Sequence, residues 1–122
     1  MASDEQILSV LSQKLSDSKH NHQLGGCILF VGPKTKKGYG DLWYTVEPKK
    51  KRRIKAHRAA YFVKHNTLEL PDGMECSHLC NRPACIEPSH IVAEENEVNN
   101  ERKHCFNQRC CTTLHEPHCI FV

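Results

Sequence analysis

Apolar positions Ile7, Leu8, Leu11 and Leu15 recur at intervals of three and four, which predicts a helix over residues 3–16 with one narrow apolar face. Ser3 followed by Gln6 is the signature of a capping box at its start. Residues 16–23 are polar and read as a loop. Gly25-Gly26 then punctuates the chain before the run Cys27-Ile28-Leu29-Phe30-Val31, a predicted strand. A turn rich in Gly, Pro and Lys (residues 32–38) leads to a second strand over residues 39–46, which carries the only tryptophan, Trp43. A basic run follows Pro48. It gives way to a helix with Ala56, Ala59, Ala60 and Val63 at helical spacing. Leu70-Pro71-Asp72-Gly73 marks a turn. From Met74 onward cysteine, histidine and asparagine dominate, with a helix predicted over residues 94–103. There is no internal repeat. The pattern describes one α+β domain over residues 1–122, in segments 1–24, 25–66, 74–104 and 105–122.

Composition sharpens this picture. Hydrophobic residues are 39% and charged residues 25% of 122. The longest apolar run, residues 27–31, is far short of the ~20 residues of a membrane-spanning helix. Asp4 and Glu5 precede only a broken apolar pattern, so a secretory leader is not expected. The expected location is intracellular, nuclear or cytoplasmic, where thiols stay reduced. Eight cysteines and nine histidines therefore read as metal ligands before they read as disulfides. Bound zinc would also supply stability that so small a core lacks, because metal binding free energy becomes folding free energy.

Charge is segregated. Residues 34–64 hold eleven Lys or Arg and two acids, a local +9 within a chain of net +3. Seven of these cations fall within residues 49–58, six of them being Lys49, Lys50, Lys51, Arg52, Arg53 and Lys55. A patch of this density is the footprint of a nucleic-acid binder, since phosphate contacts dominate affinity. Residues 48–55 also have the composition of a nuclear localisation signal.

Two clusters carry metal-ligand spacing. The first is Cys80-x4-Cys85-x4-His90, with Pro83 and Pro88 stiffening the loop. A structural zinc takes four ligands in a tetrahedron, and Cys27, at the head of an apolar strand, is the expected fourth. The second holds Cys105, Cys110, Cys111, His115, His118 and Cys119. The most regular set is Cys105, one of Cys110 or Cys111, His115 and Cys119. Cys76, on a predicted strand, reads as a core residue, and His57 as a structural one.

His78 lies two residues before Cys80 on the same strand face, beside the first cluster without being needed as its ligand. Asn99 follows nine residues after His90 on a helix, with Asn96 and Asn100 as near alternatives. A histidine can deprotonate water while an amide oxygen helps hold a divalent cation on a phosphate.

Ser77-His78-Leu79-Cys80, then Cys85, Pro88, His90, Asn99 and Cys105, resemble the His-Cys box homing endonucleases, a branch of the ββα-metal (HNH-like, His-Me finger) nucleases. The resemblance extends to Gly26-Cys27, Gly38-Tyr39-Gly40 and His57-Arg58, and more faintly to Gln6-Ile7-Leu8. It implies a small α+β, zinc-stabilised ββα-metal fold with an N-terminal helix and an antiparallel β-sheet. It implies two structural Zn²⁺, one on Cys27, Cys80, Cys85 and His90, the other on Cys105, Cys110 or Cys111, His115 and Cys119. It further implies His78 as general base and Asn99 as ligand of a catalytic Mg²⁺ or Mn²⁺. Double-stranded DNA would be the partner, read by the sheet around residues 39–46 and 49–55.

The sequence also departs from the family. The phosphate-steadying arginine has no clean counterpart, Arg52 and Arg53 being the nearest. Only Ile120, Phe121 and Val122 follow Cys119, so a homodimer would lack the exchanged tail of the best-known dimeric member. The competing expectations are a catalytically inactive zinc-stabilised nucleic-acid-binding module and a zinc-ribbon interaction domain.

Overall fold

The capping box at Ser3 forms. In a computed structural model describing residues 3–21, 26–108 and 115–120, Ser3 Oγ accepts from the Gln6 amide at 3.2 Å, and the Gln6 side chain accepts from the Ser3 amide at 2.9 Å. Helix α1 (Asp4–Asp17) starts there and buries Ile7, Leu11 and Leu15 along one stripe. The segment expected as a loop after it contains a short strand, β1 (Lys19–Asn21), antiparallel to β2 (Ile28–Phe30). Its polar sequence carries no strand pattern, and the pairing partner supplies the order. Strand β2 is shorter than the apolar run, and Val31 beyond it is 58% exposed.

The basic run is a strand. β3 (Asp41–Glu47) turns at Lys49, whose φ of 64° opens the hairpin, and returns as β4 (Lys50–Lys55). Helix α2 (Ala56–His65) follows without a break and ends on left-handed Asn66. Ala56, Ala59 and Ala60 are fully or almost fully buried, and α1 packs across α2 and β3. Small side chains there let the backbones approach.

The last unit is a hairpin, β5 (Met74–His78) with β6 (Ile91–Glu95), and then helix α3 (Asn96–Gln108). The helix expected at residue 94 begins two residues later, because Glu94 and Glu95 complete the ladder opposite Glu75 and Met74. The antiparallel pairing anticipated from sequence takes the form of three separate two-stranded ladders among the described residues. Such ladders are marginal alone. Twelve buried residues, among them Leu11, Phe30, Leu42, Phe62 and Ile91, make up the main core. A second cluster is made almost wholly of sulfur: Cys27, Cys80 and Cys85, with Leu29 and Ile120 against it. No helix among the described residues is long and apolar enough to cross a membrane.

Candidate active site and metal centres

β2 reaches the segment after Cys80 through two backbone bonds, Phe30 N–H to Ala84 O at 2.8 Å and Ile86 N–H to Ile28 O at 2.7 Å. That pairing delivers Cys27, 58 positions away in the chain, to Cys85. Left-handed Asn81 turns the chain between Cys80 and Cys85, and a 3₁₀ turn (Pro88–His90) presents the imidazole. The four ligand atoms of Cys27, Cys80, Cys85 and His90 lie within 4.8 Å of one another, all buried. His90 Nδ1 stands 3.5 Å from Cys27 Sγ and 3.6 Å from Cys85 Sγ. Tetrahedral zinc at ordinary bond lengths has ligand–ligand edges of about 3.5–3.8 Å, so the set fits the ion. Its electrostatics agree. The Cys80 thiol donates to Cys85 and pulls that thiol down to about 5, while Cys80 is itself pushed up. Three buried sulfurs so close ionise together only around a cation.

The second cluster brings together Cys105, His115 and Cys119, all buried, again within 4.8 Å. His115 Nδ1 is 3.7 Å from each sulfur. Its Nε2 faces Glu101 Oε2 at 3.0 Å, the carboxylate–imidazole pairing that orients a ligand ring. Cys110 and Cys111, from which the fourth ligand was expected, lie outside the described residues. His118 is exposed and paired with Glu116. These two buried clusters fit two structural zinc ions.

Charged side chains missed from sequence tie the second centre to the hairpin. Arg102 is 1% exposed. It forks onto Glu94 of β6, with Nη2 to Oε2 at 2.9 Å, and donates through Nη1 to Cys119 Sγ at 3.4 Å. A charged helix residue reads as surface, and only the tertiary partner reveals otherwise.

His78 ends β5 and is buried. Its Nε2 lies 2.8 Å from the Cys85 carbonyl oxygen. A carbonyl only accepts, so Nε2 carries the proton and Nδ1 keeps the lone pair. The first metal loop therefore fixes the tautomer of the imidazole beside it. Burial holds His78 below the ordinary histidine range. His78 and Asn99 line one small cleft with Tyr39, Asn81, Pro83 and Lys103. Tyr39, Asn99 and Lys103 also border a groove of about 870 Å³, together with Lys37, Lys55 and Arg58. Asn99 Oδ1 accepts from buried Ser77 Oγ at 2.9 Å. Asn96 reaches only the outer groove, and Asn100 only Asn96. A single amide side chain bordering the groove suits a Mg²⁺ that keeps waters and takes its other ligands from a phosphate.

Tyr39, His57 and His78 form a stack, with ring centroids 5.1 Å apart for Tyr39–His57 and 4.6 Å for His57–His78. Tyr39 is set by its neighbours: a Cβ on Gly40 would fall 2.7 Å from both Ala56 and Phe30. His57, structural by sequence, is in direct contact with the candidate base. Its Nδ1 is buried without a hydrogen-bond partner. Burial first, then His78 and Lys55, push it down to about 3. Below its unfolded value of about 6.5 the unfolded chain takes up a proton that the folded chain refuses, so stability falls with falling pH until about 3. His57→Phe keeps a ring in the stack and removes this term. Between pH 7 and pH 5 the wild type should lose about 2 kcal/mol more than the variant in urea unfolding; equal losses would exclude His57 as the source.

The hairpin, the ligand-bearing loop inside it and the following helix define a small zinc-stabilised domain of the nuclease type. The chain belongs to the family described as the zinc-binding loop region of homing endonuclease, whose profile matches residues 30–121. Membership indicates a nuclease, a hydrolase of ester bonds. No curated protein matches the chain.

Proposed function

We propose that this protein is a metal-dependent endonuclease of double-stranded DNA, with His78 as general base and Asn99 as the protein ligand of Mg²⁺. The observation that carries the reading is the convergence of His78 and Asn99 on one cleft, with His78 Nε2 committed to the Cys85 carbonyl. Nδ1 takes the proton of a water that attacks the phosphorus in line, and the 3′-oxygen leaves. The ends are then a 5′-phosphate and a 3′-hydroxyl. Asn99 Oδ1 would hold the Mg²⁺, which when bound would supply charge neutralisation at the phosphate and the leaving oxygen. His57 and Tyr39 keep the imidazole from rotating, and Ser77 holds the amide.

The reading of the DNA contact rests on one face of the β3–β4 hairpin. Register pairs Thr45 with Lys51, Trp43 with Arg53 and Asp41 with Lys55, so these side chains share a face. Alternate residues on a strand are ~6.8 Å apart, comparable to successive phosphates. Trp43 is 47% exposed, with the Arg53 guanidinium 5.6 Å from its ring. Lys55 closes the row at the groove, its Nζ 5.2 Å from the Tyr39 ring. Lys50 and Arg52 approach Glu47 instead, at 3.5 and 3.9 Å, and Lys49 is in the turn. Arg53 pairs with Asp41 at 2.9 Å. Of Arg52, Arg53 and Lys55, Lys55 is the one that borders the groove, while Lys103 lines the cleft itself. Replacing Lys51, Arg53 and Lys55 together with alanine should lower the slope of log K against log salt by about three; the Lys49/Lys50/Arg52 triple should change it less. Equal slopes would sink the choice of face.

The test of the function is nicking of supercoiled plasmid with and without Mg²⁺, by wild type and Asn99→Ala, followed by mapping of the ends. Mg²⁺-dependent nicking with 5′-phosphate ends is expected, abolished in the variant. Plasmid bound but left intact would favour the inactive zinc-stabilised binding module.

A further inference from the structure

The two ends of an asparagine carboxamide are nearly the same shape, and a half-turn about the last torsion exchanges them. Only one end binds a cation. Something must therefore choose which end of Asn99 faces the cleft. Ser77 Oγ lies 2.9 Å from Asn99 Oδ1, but a hydroxyl donates or accepts with equal ease. It satisfies either orientation. Glu75 does not. Its carboxylate accepts only, and Asn99 Nδ2 donates to Glu75 Oε1 at 2.5 Å.

The same oxygen accepts from Asn96 Nδ2 at 3.1 Å, and Asn96 Oδ1 accepts in turn from Asn100 Nδ2 at 3.1 Å. Three amides are thus oriented in one direction by a single acceptor. Glu75 and Ser77, two apart on β5, face one side of the strand; Asn96 and Asn99, three apart on α3, face them. Two strand residues fix two helix residues across 21 to 24 positions of chain. With Nδ2 held by Glu75, the buried Ser77 hydroxyl donates to Asn99 Oδ1, which keeps a second lone pair.

We infer that Glu75 is a positioning residue: it holds the amide nitrogen of Asn99 away from the cation and so presents Oδ1 to it. This rests on the reading of Asn99 as the cation ligand. Glu75 itself is half-buried at the groove rather than in the core, so its loss should leave the fold intact.

The test compares wild type, Glu75→Gln, Glu75→Leu and Asn99→Ala, all zinc-loaded. Glutamine can donate as well as accept, so it no longer selects an orientation; leucine offers neither. Two readouts are taken. One is broadening of the Asn99 side-chain amide NMR signal by substoichiometric Mn²⁺, which needs no turnover. The other is the Mg²⁺ concentration giving half-maximal plasmid nicking. Both Glu75 variants should weaken the cation ten- to a hundredfold by each readout. Melting temperature, zinc content and the nicking rate at saturating Mg²⁺ should stay within a few-fold of wild type. Unchanged Mn²⁺ broadening and an unchanged Mg²⁺ midpoint in both variants, with Asn99→Ala defective, would overturn the role of Glu75 alone. A wild-type Mg²⁺ midpoint in Asn99→Ala would remove the ligand assignment and this inference with it.

Discussion

Cys85→Ser should abolish cooperative folding, and removal of zinc from the wild type by a strong chelator should do the same. Cys85 is fully buried and belongs to the four-ligand set with Cys27, Cys80 and His90. Structural zinc in small domains contributes about 10–16 kcal/mol of apparent binding free energy at neutral pH. The whole net stability of a domain is about 5–15 kcal/mol. Little else could substitute. The main core has twelve buried residues, three of them alanine, and each ladder has only two strands. The strands β5 and β6 are joined by the ligand loop rather than by a tight turn, so beyond the Leu79–His90 backbone bond and the contacts with β2 the ion is what folds that loop. Near-ultraviolet circular dichroism during chelation, and its return on adding zinc, is the measurement. Cys76→Ser is the control, because Cys76 is only half-buried and outside both clusters. A chelated protein that still melts cooperatively would show that packing alone suffices. Loss of the second centre should be milder: Cys119→Ser should loosen α3 and the C-terminal segment, with Arg102 and Glu94 still paired.

The two clusters of cysteine and histidine were the most legible part of the sequence, because zinc chemistry restricts residue type and short loops restrict spacing. Even Cys27 could be assigned, since a cysteine heading an apolar strand has no local partner. Helices α1 and α2 followed from period and capping. What escaped was decided by partners distant in sequence. β1 is polar, and among the described residues its strand partner is β2. Residues 94 and 95 have helical composition, yet register with Glu75 and Met74 draws them into a strand. Arg102 and Glu94 look like surface charges and are buried because they satisfy each other. Glu75 carries no motif, and His57, although it falls within the family resemblance as His57-Arg58, read as structural. Their roles arise where β5 meets α3 and where α2 meets β5, contacts that no window of sequence contains. The basic run was visible as a charge, but which cations share a face needed the register opposite β3.

On the reading of His78 as general base, His78→Gln should cut plasmid about 10²–10⁴-fold more slowly than wild type at saturating Mg²⁺. Glutamine is the informative choice. Alanine would leave the Cys85 carbonyl without its donor, a buried acceptor whose loss of partner costs about 1–3 kcal/mol. That would disturb the zinc loop and confuse lost chemistry with lost structure. The glutamine amide can still donate to Cys85 and fill the space beside His57, but it has no nitrogen able to take a proton near neutral pH. Melting temperature and zinc content should therefore match wild type while the rate collapses. The Mg²⁺ midpoint should also hold, since Asn99, Ser77 and Glu75 are untouched, and this separates the base from the cation ligand. If His78→Gln nicks plasmid within a few-fold of wild type while binding zinc normally, the proton is taken elsewhere. The tautomer fixed by the Cys85 carbonyl would then be a feature of packing alone.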